Sequence, residues 1–332
     1  RAGRTGRRCI AFAVVLGWPF GRGWRERAVT ESPQSDPTGR TDPTSTAGDE
    51  DVATTWRALW AETSKAIDDR QHARWMCEVA SSTEPDEFLQ SLDEAPTVGM
   101  VRHLDAMIAR YRTGEPLQYV LGRWAFRRLD LAVDQRVLIP RPETEIVAEA
   151  ALKIALGFDV ERTIVDLGTG SGAIGLALAD ELPLSGTSIW LTDASSDALD
   201  VARANLAGIG RAALNVQIAL GSWFDALPFD VVADVIVSNP PYVADASPDL
   251  ERIVGEWEPA SALFAGPDGL DDIRIIIDGA FSRLRSGGWL ILEIGHDQAP
   301  SVQQLLAAHG YAEAEIRKDL SGLDRIALAQ RP

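Results

Sequence analysis

The tetrapeptide Asn239-Pro240-Pro241-Tyr242 contains the residue types that best define a chemistry in this sequence, and it lies just beyond the apolar segment 234–237. An amide nitrogen is a weak nucleophile because its lone pair is delocalised, so methylating it requires fixed acceptors for both N–H groups. The Asn239 side-chain oxygen and the Pro240 carbonyl could supply them, preorganised by two prolines that fix φ. Tyr242 could pack against the planar substrate group. This predicts Asn239, Pro240 and Tyr242 as catalytic residues and all four residues as the substrate pocket.

A glycine-rich loop, Gly-Thr-Gly-Ser-Gly at 168–172, follows the predicted strand 163–165 and precedes a predicted helix. Alternating glycines let the backbone turn tightly and approach a ligand at the carboxyl end of a strand, where open α/β sheets bind cofactors. The dinucleotide fingerprint GxGxxG places its third glycine one position later, and Gly175 does not restore that spacing. The spacing therefore favours S-adenosylmethionine over a nicotinamide dinucleotide. The predicted cofactor contacts in the loop are Gly168, Thr169, Gly170, Ser171 and Gly172.

Asp193 follows the next predicted strand, 188–191, and lies roughly 20 residues beyond the glycine loop. A carboxylate at the end of this strand can accept hydrogen bonds from both hydroxyls of a ribose. We therefore predict Asp193 as a cofactor-binding residue.

The elements that position these motifs alternate between strand and helix after residue 160, which predicts a doubly wound, mostly parallel, Rossmann-like α/β sheet. Upstream, apolar residues at helical spacing predict a small helical bundle. Strand formers at 118–139, including Tyr119 to Leu121, predict a linking β-hairpin, and Pro142 is expected in the first turn of a helix at 145–156. The expected domains are a disordered leader and linker (1–51), a helical substrate-docking domain (52–112), the linking hairpin (113–142) and the methyltransferase domain (143–332).

Charge and composition limit the classes of partner, metal site and compartment that the sequence allows. The formal net charge of −17 disfavours attraction to DNA or RNA, which requires basic residues. The two cysteines, Cys9 and Cys77, form no CxxC pair, in keeping with a reducing cytoplasm, and the four histidines have no metal-ligand spacing. The apolar run 9–16 is too short to cross a bilayer. We therefore predict a cytoplasmic protein with no metal, no membrane association and no direct contact with nucleic acid.

The order of the motifs resembles the HemK-type peptide chain release factor glutamine methyltransferases over roughly residues 52 to 330. The resemblance depends on the glycine loop, the tetrapeptide at 239–242 and several shorter segments. These segments are 114–122, 138–145, Asp193, Trp223-Phe224, Glu258-Pro259, Gly269-Leu270, Gly287-Gly288 and 293–295.

The resemblance implies a substrate and a role for each motif. The loop 168–172 would contact the methionine part of S-adenosylmethionine, Asp193 the ribose and Trp223 the adenine, while Asn239 would contact both cofactor and substrate. The substrate would be the glutamine of the Gly-Gly-Gln motif in class 1 peptide chain release factors, methylated on its side-chain nitrogen and docked with help from the helical domain. One departure is Ser222, which stands where the family usually has an acidic residue and would bind the adenine amino group more weakly.

Three alternatives stay open. A DNA adenine N6-methyltransferase uses the same acceptor arrangement, but the acidic charge and the lack of a large insertion argue against it. A glutamine methyltransferase of a ribosomal protein is closer, although the segment 142–145 favours the release-factor branch. The third alternative is a protein that only binds a nucleotide or a partner. It would leave the joint presence of the glycine loop, Asp193 and the tetrapeptide at 239–242 unexplained.

Overall fold

Among the residues that the structure describes, the chain divides into two compact units, residues 54–105 and residues from 106 onward. The structure, a computed structural model, describes residues 54–158, 161–245 and 252–332. The predicted leader and linker at 1–51 lies outside the described residues. Within the described ranges, no helix has both the length and the apolar character that crossing a membrane requires.

The smaller unit is built from helices whose starts are fixed by capping side chains. Thr55 accepts a hydrogen bond from the Ala58 N–H, and Asp69 accepts two from the next helix. Such caps satisfy donors that the first turn leaves free. Trp56 and Phe88 pack edge to face in the core, with ring centroids 5.8 Å apart. The helices are α1 (Trp56–Ile67), α2 (Arg70–Ser81), α3 (Pro85–Gln90) and α4 (Val98–Arg112), the last of which continues into the larger unit.

The segment after α4 differs from its prediction at residues 119–121. These residues, expected to form a strand, lie in helix α5 (Leu117–Leu121), which ends at Gly122 with φ of 70°. The Tyr119 ring is buried, and its hydroxyl donates to the Val137 carbonyl at 2.6 Å. This tertiary contact outweighs the strand propensity of aromatic and β-branched residues. The hairpin itself is confirmed as β1 (Arg123–Phe126) paired antiparallel with β2 (Leu129–Ala132).

Helix α6 (Thr144–Leu156) begins one residue before its predicted start. The placement of Pro142 was wrong, because this proline lies in the turn before the helix rather than in its first helical turn. The Thr144 N–H donates to the Arg141 carbonyl at 3.1 Å and closes that turn. Arg141 in turn forms an ion pair with the buried Glu258 carboxylate at 2.6 Å, which fixes the turn to a distant loop.

Seven strands form the central sheet of the larger unit. In chain order they are β3 (Arg162–Leu167), β4 (Thr187–Asp193), β5 (Val216–Leu220), β6 (Ala233–Ser238), β7 (Leu284–Glu293), β8 (Ala312–Lys318) and β9 (Asp324–Gln330). Their spatial order is β5-β4-β3-β6-β7-β9-β8, with the first five parallel and the last two joined by antiparallel pairing. The order reverses beside β3, which makes its carboxyl end a topological switch point. The predicted doubly wound, mostly parallel sheet is confirmed.

Strand β8 was missing from the sequence-based prediction. Most of its side chains are exposed, and charged residues such as Glu313, Glu315 and Arg317 fill it. A strand at the edge of a sheet can have this composition because charges there discourage pairing with other chains. Apolar and charged residues do alternate from 312 to 317, but two of the three apolar positions are alanine, which is depleted in strands, so the strand signal is weak.

Helices cover both faces of the sheet. Ile164 and Val165 are neighbours in β3, and successive strand residues point to opposite faces. Ile164 packs in one core with Val147 and Leu176, whereas Val165 packs in a second core with Ile273. The remaining helices are α7 (Ala173–Glu181), α8 (Ser196–Gly208), α9 (Arg252–Trp257), α10 (Asp271–Arg283) and α11 (Ala299–Ala308).

Asn205 on α8 ties the hairpin to the glycine loop. Its side chain is fully buried, and its Oδ1 accepts from the Ala132 N–H at 2.7 Å. Its Nδ2 donates to the Ala132 carbonyl at 3.1 Å and to the Ser171 carbonyl at 2.8 Å. One side chain thus satisfies three buried backbone groups from two segments distant in sequence.

We predict that Asn205→Ala lowers the free energy of unfolding by about 2–4 kcal/mol, because buried backbone groups lose their partners. Urea unfolding followed by circular dichroism measures the change. The matched control is Arg203→Ala on the exposed face of the same helix, where the pair with Asp200 is solvated and its loss should change stability by less than about 1 kcal/mol. Equal effects of the two substitutions would contradict this account of Asn205.

Candidate active site

The glycine loop after β3 adopts a backbone that only glycine accommodates easily. Gly168, Gly170 and Gly172 have φ angles of 65°, 55° and 86°. At Gly172, a Cβ atom would lie 2.7 Å from the Leu176 side chain, so the loop joins α7 with no room for a larger residue. At Gly170, a Cβ atom would meet no atom of the described residues within 4 Å, so this backbone faces open space. The loop therefore turns sharply while leaving one surface accessible to a ligand.

Asp166, the penultimate residue of β3, holds the loop against α7. Its Oδ2 accepts from the Thr169 hydroxyl at 2.6 Å and from the Gly175 N–H at 2.9 Å. Complete burial raises the pKa of Asp166 to about 7, although both hydrogen bonds oppose the shift. This carboxyl was not among the predicted site residues, and its position at the end of the strand before the glycines is the signal that could have found it.

Asp193 ends β4 and faces the glycine loop. Its Oδ2 accepts from the Gly170 N–H and its Oδ1 from the Ser195 N–H, both at 2.9 Å. Burial raises the pKa of Asp193, and these backbone donors counteract the shift. Each carboxylate oxygen can accept more than one hydrogen bond, so both can still receive a ligand hydroxyl.

Trp223 lies in the short turn after β5, and its indole packs on the glycine loop. The ring reaches within 3.4 Å of where a Cβ atom of Gly168 would stand. Asp272, in the first turn of α10, also lines the cavity, and burial raises its pKa while a hydrogen bond with Trp223 lowers it. Ser222, beside Trp223, is exposed and also lines the cavity. Asp272 was not predicted, because no motif marks a single acidic residue in a first helical turn.

Asn239 follows β6 directly, at the same edge of the sheet as the glycine loop. The last residue of β6, Ser238, pairs with Leu167 at the end of β3, and its hydroxyl donates to the Leu167 carbonyl at 2.7 Å. The Asn239 Nδ2 donates to the Thr144 hydroxyl at 3.2 Å. Pro240 is buried, whereas Pro241 is half-buried.

Tyr242 is fixed at both its backbone and its side chain. Its hydroxyl donates to Glu293 Oε1 at 3.1 Å, and its carbonyl accepts from Gln298 Nε2 at 3.0 Å. Gly269 packs so closely that a Cβ atom there would lie 2.4 Å from the Tyr242 carbonyl oxygen. Burial raises the pKa of the Tyr242 hydroxyl, and the Glu293 charge adds to the shift. This hydroxyl is therefore a donor to Glu293 rather than a proton acceptor.

A cavity of about 340 Å³ joins these segments at the carboxyl edge of the sheet. It brings together most of the predicted site residues, whereas Gly172, Pro240 and Tyr242 do not line it. The lining residues that were predicted are Gly168, Thr169, Gly170, Ser171, Asp193, Trp223, Asn239 and Pro241.

These residues fit S-adenosylmethionine in shape and chemistry. The open backbone at Gly170 could admit the methionine part, and Asp193 could accept from the ribose hydroxyls. The Trp223 indole offers an apolar surface beside the loop for an adenine. Within the described residues, no three His, Cys, Asp or Glu side chains cluster so that they could hold a metal ion.

The parallel sheet, the glycine loop and the asparagine at its edge define a Rossmann-like, S-adenosylmethionine-dependent methyltransferase. Two family models match the chain, the methyltransferase small domain over residues 147–255 and the PrmC N-terminal domain over residues 59–122. The chain belongs to the release factor glutamine methyltransferase family, as comparison with its relatives shows.

Three relatives illustrate the similarity. A release factor glutamine methyltransferase of Xylella fastidiosa is 43% identical over 228 residues, which are 68% of this chain and 80% of the relative. One of Coxiella burnetii is 45% identical over 229 residues, 69% of this chain and 79% of the relative. One of Burkholderia pseudomallei is 38% identical over 286 residues, 84% of this chain and 97% of the relative.

We predict that Asp166→Asn changes how stability depends on pH. Because the folded pKa of Asp166 is raised to about 7, the proton it holds stabilises the ligand-free protein at low pH, and this contribution is lost as pH rises through about 7. Asparagine keeps an acceptor for Thr169 and Gly175 but does not ionise. The variant should therefore gain stability relative to the wild type as the pH rises from about 5 to about 7, and the difference should stay constant above that.

Urea unfolding at a series of pH values measures this difference. The control is Asp268→Asn, because Arg274 holds the pKa of Asp268 below its usual value and the exposed carboxylate stays ionised across the range. The difference in unfolding free energy between Asp268→Asn and the wild type should therefore not vary with pH. A flat difference for Asp166→Asn as well would show that this carboxyl does not titrate as described.

Proposed function

We propose that this chain transfers a methyl group from S-adenosylmethionine to the side-chain amide nitrogen of a glutamine in a peptide chain release factor. The target within the release factor is the glutamine of its Gly-Gly-Gln motif. In the reaction, the amide nitrogen forms a bond to the methyl carbon while the bond from that carbon to sulfur breaks. One amide proton then leaves to solvent, so no general base is needed before transfer.

One observation carries this proposal: Asn239 lines the same cavity as the glycine loop and Asp193. Asn239 supplies an acceptor for a substrate N–H, and the glycine loop and Asp193 supply a binding site for the methyl donor. Strand pairing holds them together, because Leu167 of β3 pairs both with Thr192 of β4 and with Ser238 of β6. An acceptor and a cofactor loop at one switch point are what methyl transfer to a nitrogen requires.

The cofactor supplies an electrophilic methyl group bound to a positively charged sulfur. The chain binds and orients it through the glycine loop, through Asp193 at the ribose and through Trp223 and Asp272 at the adenine. Asp272 is a carboxylate on the cavity wall, and we propose that it accepts from the adenine amino group. It would thereby offset the weaker acceptor at Ser222.

The chain holds the substrate amide with fixed acceptors. The Asn239 side-chain oxygen accepts from one N–H, and the Pro240 carbonyl accepts from the other. Pro240 is buried and Tyr242 is anchored by Glu293 and Gln298, so the backbone between them is preorganised. Because the acceptors are fixed before binding, no reorganisation is needed when charge develops on the nitrogen.

The expected partner is a protein, not a nucleic acid. The net charge of −17 opposes approach to phosphate backbones and leaves the surface suited to a neutral or basic partner. We assign docking of the release factor to the helical segment that matches the PrmC N-terminal domain, residues 59–122. The proposed compartment is the cytoplasm, where release factors act.

Labelling with radioactive S-adenosylmethionine tests the function. We expect label on a class 1 release factor, located by mass spectrometry on the Gly-Gly-Gln glutamine, and no label when that glutamine is changed to alanine. Label on double-stranded DNA or on a ribosomal protein, with none on the release factor, would replace this proposal by one of the alternatives. Absence of transfer to any acceptor, with the cofactor bound, would favour a binding protein.

We predict that Asn239→Ala lowers the rate of methyl transfer by at least about a hundredfold, because it removes a fixed acceptor at the reacting nitrogen. The substitution removes no buried apolar group, so the urea midpoint should change little. The control is Gln304→Ala, which removes an exposed amide on α11 and should leave the rate unchanged. An Asn239→Ala protein that kept most of its activity would exclude this residue as the acceptor.

A further inference from the structure

Three hydrogen bonds join Asn239, Thr144 and Tyr242 to one buried carboxylate. The Asn239 Nδ2 donates to Thr144 Oγ1 at 3.2 Å, and the Thr144 hydroxyl donates to Glu293 Oε2 at 2.7 Å. The Tyr242 hydroxyl donates to Glu293 Oε1 at 3.1 Å. We infer that Thr144 and Glu293 are positioning residues that keep the Asn239 side-chain oxygen turned toward the substrate amide, an inference that rests on the proposed function.

The direction of these hydrogen bonds is fixed by the number of protons available. A hydroxyl has a single proton to donate, and Thr144 gives it to Glu293. Toward Asn239, Thr144 can therefore only accept, and only the amide nitrogen of Asn239 can donate. The amide oxygen then lies on the other side of the planar group, where it accepts no hydrogen bond from the residues that the structure describes.

Glu293 sets this direction because an ionised carboxylate accepts and cannot donate. Only 1% of the residue is exposed. Burial raises its pKa, and the nearby Glu143 charge acts in the same direction, whereas hydrogen bonds from Thr144 and Tyr242 and the Arg325 charge lower it. The two hydroxyl donors and the Arg325 charge thus oppose the effect of burial, and both hydroxyls donate to Glu293 in the structure.

The orientation matters because an asparagine amide keeps nearly the same shape after half a turn about its last torsion. In the turned orientation, the NH₂ group of Asn239 would face the NH₂ group of the substrate, and neither could accept. The contact with Thr144 disfavours that orientation, because it would place the amide oxygen against a hydroxyl oxygen with no free proton. The acceptor is therefore aimed before the substrate binds.

The positions of these residues in the fold support a role at the site rather than in the core alone. Thr144 is the first residue of α6, Glu293 the last of β7 and Asn239 the residue after β6. Thr144 also lines the cavity beside Asn239. Thr144 lies in the segment 142–145, and Glu293 lies in the segment 293–295. Both segments belong to the motifs of the family resemblance, but the sequence alone assigns no chemical role to either of them.

The first test is Thr144→Val, which keeps the branched shape but removes both donor and acceptor. We expect kcat for release-factor methylation to fall about tenfold, and KM for the release factor to change by less than about twofold. The dissociation constant for S-adenosylmethionine, measured by calorimetry, should stay within about twofold, because the cofactor contacts are intact. Thr144→Ser restores the hydroxyl and should recover most of the rate. Lys153→Ala, exposed on the same helix, is the control and should match the wild type.

The second test asks whether Thr144 acts through Asn239. In single-turnover assays with a radioactive methyl group, Thr144→Val should lower the rate by less than about twofold in an Asn239→Ala background, because no side-chain oxygen remains to be oriented. The same tenfold loss in both backgrounds would overturn the inference, and so would a serine variant as slow as the valine variant. Wild-type protein that labels no glutamine would overturn the proposed function itself, an outcome that needs neither variant.

Discussion

The pairing of strand β3 with a parallel neighbour on each side is the constraint on which the site depends. Leu167, at the carboxyl end of β3, is in register with Thr192 of β4 and with Ser238 of β6. The residues at and just beyond the carboxyl ends of these strands are therefore brought to one edge: the glycine loop, Asp193 and Asn239. Because side chains alternate along a strand, a shift of one residue in either pairing would turn Asp193 or Asn239 to the wrong face. The fully buried residues of β3 and β6 oppose such a shift.

The loops at this edge are held by hydrogen bonds from buried side chains. Asp166 fixes the glycine loop to α7, and Asn205 fixes the same loop to α8 and to the hairpin. Gln298 connects the Tyr242 carbonyl to the Gly269 carbonyl, so the segment after β6 is held to a second loop. Loops usually carry more freedom than the elements they connect, and catalysis that depends on fixed acceptors requires that freedom to be removed.

The sequence was most informative at positions where both the chemistry of the site and the backbone geometry of the fold require the same type of residue. The glycines at 168, 170 and 172 all adopt positive φ, and the apolar runs before the motifs are the buried strands β3, β4 and β6. Prediction failed where distant contacts decide the local structure. The segment 119–121 is helical because Tyr119 is anchored at Val137, and the charged edge strand β8 has alanine, a weak strand former, at two of its three apolar positions.

The same limit applied to the site. The positions of Asp193 and Asn239 at the cavity could be predicted, because Asp193 ends an apolar strand and Asn239 follows one. Asp272, Thr144 and Glu293 could not be assigned roles, because their importance comes from partners far away in sequence: Thr144 and Glu293 are 149 positions apart. A spacing rule detects chemistry within one segment, whereas hydrogen bonds between segments become visible only in the folded chain.

Buried carboxylates make this site costly to fold. Asp166 and Glu293 are fully buried, and burial raises the pKa of both, so ionising either one in the folded protein opposes stability. A core built for stability alone would use apolar residues at both positions. Each carboxylate instead accepts from groups that must not move: the loop residues Thr169 and Gly175 for Asp166, and Thr144 with Tyr242 for Glu293. Stability is thus exchanged for fixed orientation on the two sides of the cavity, where the methyl donor and the acceptor nitrogen have to meet.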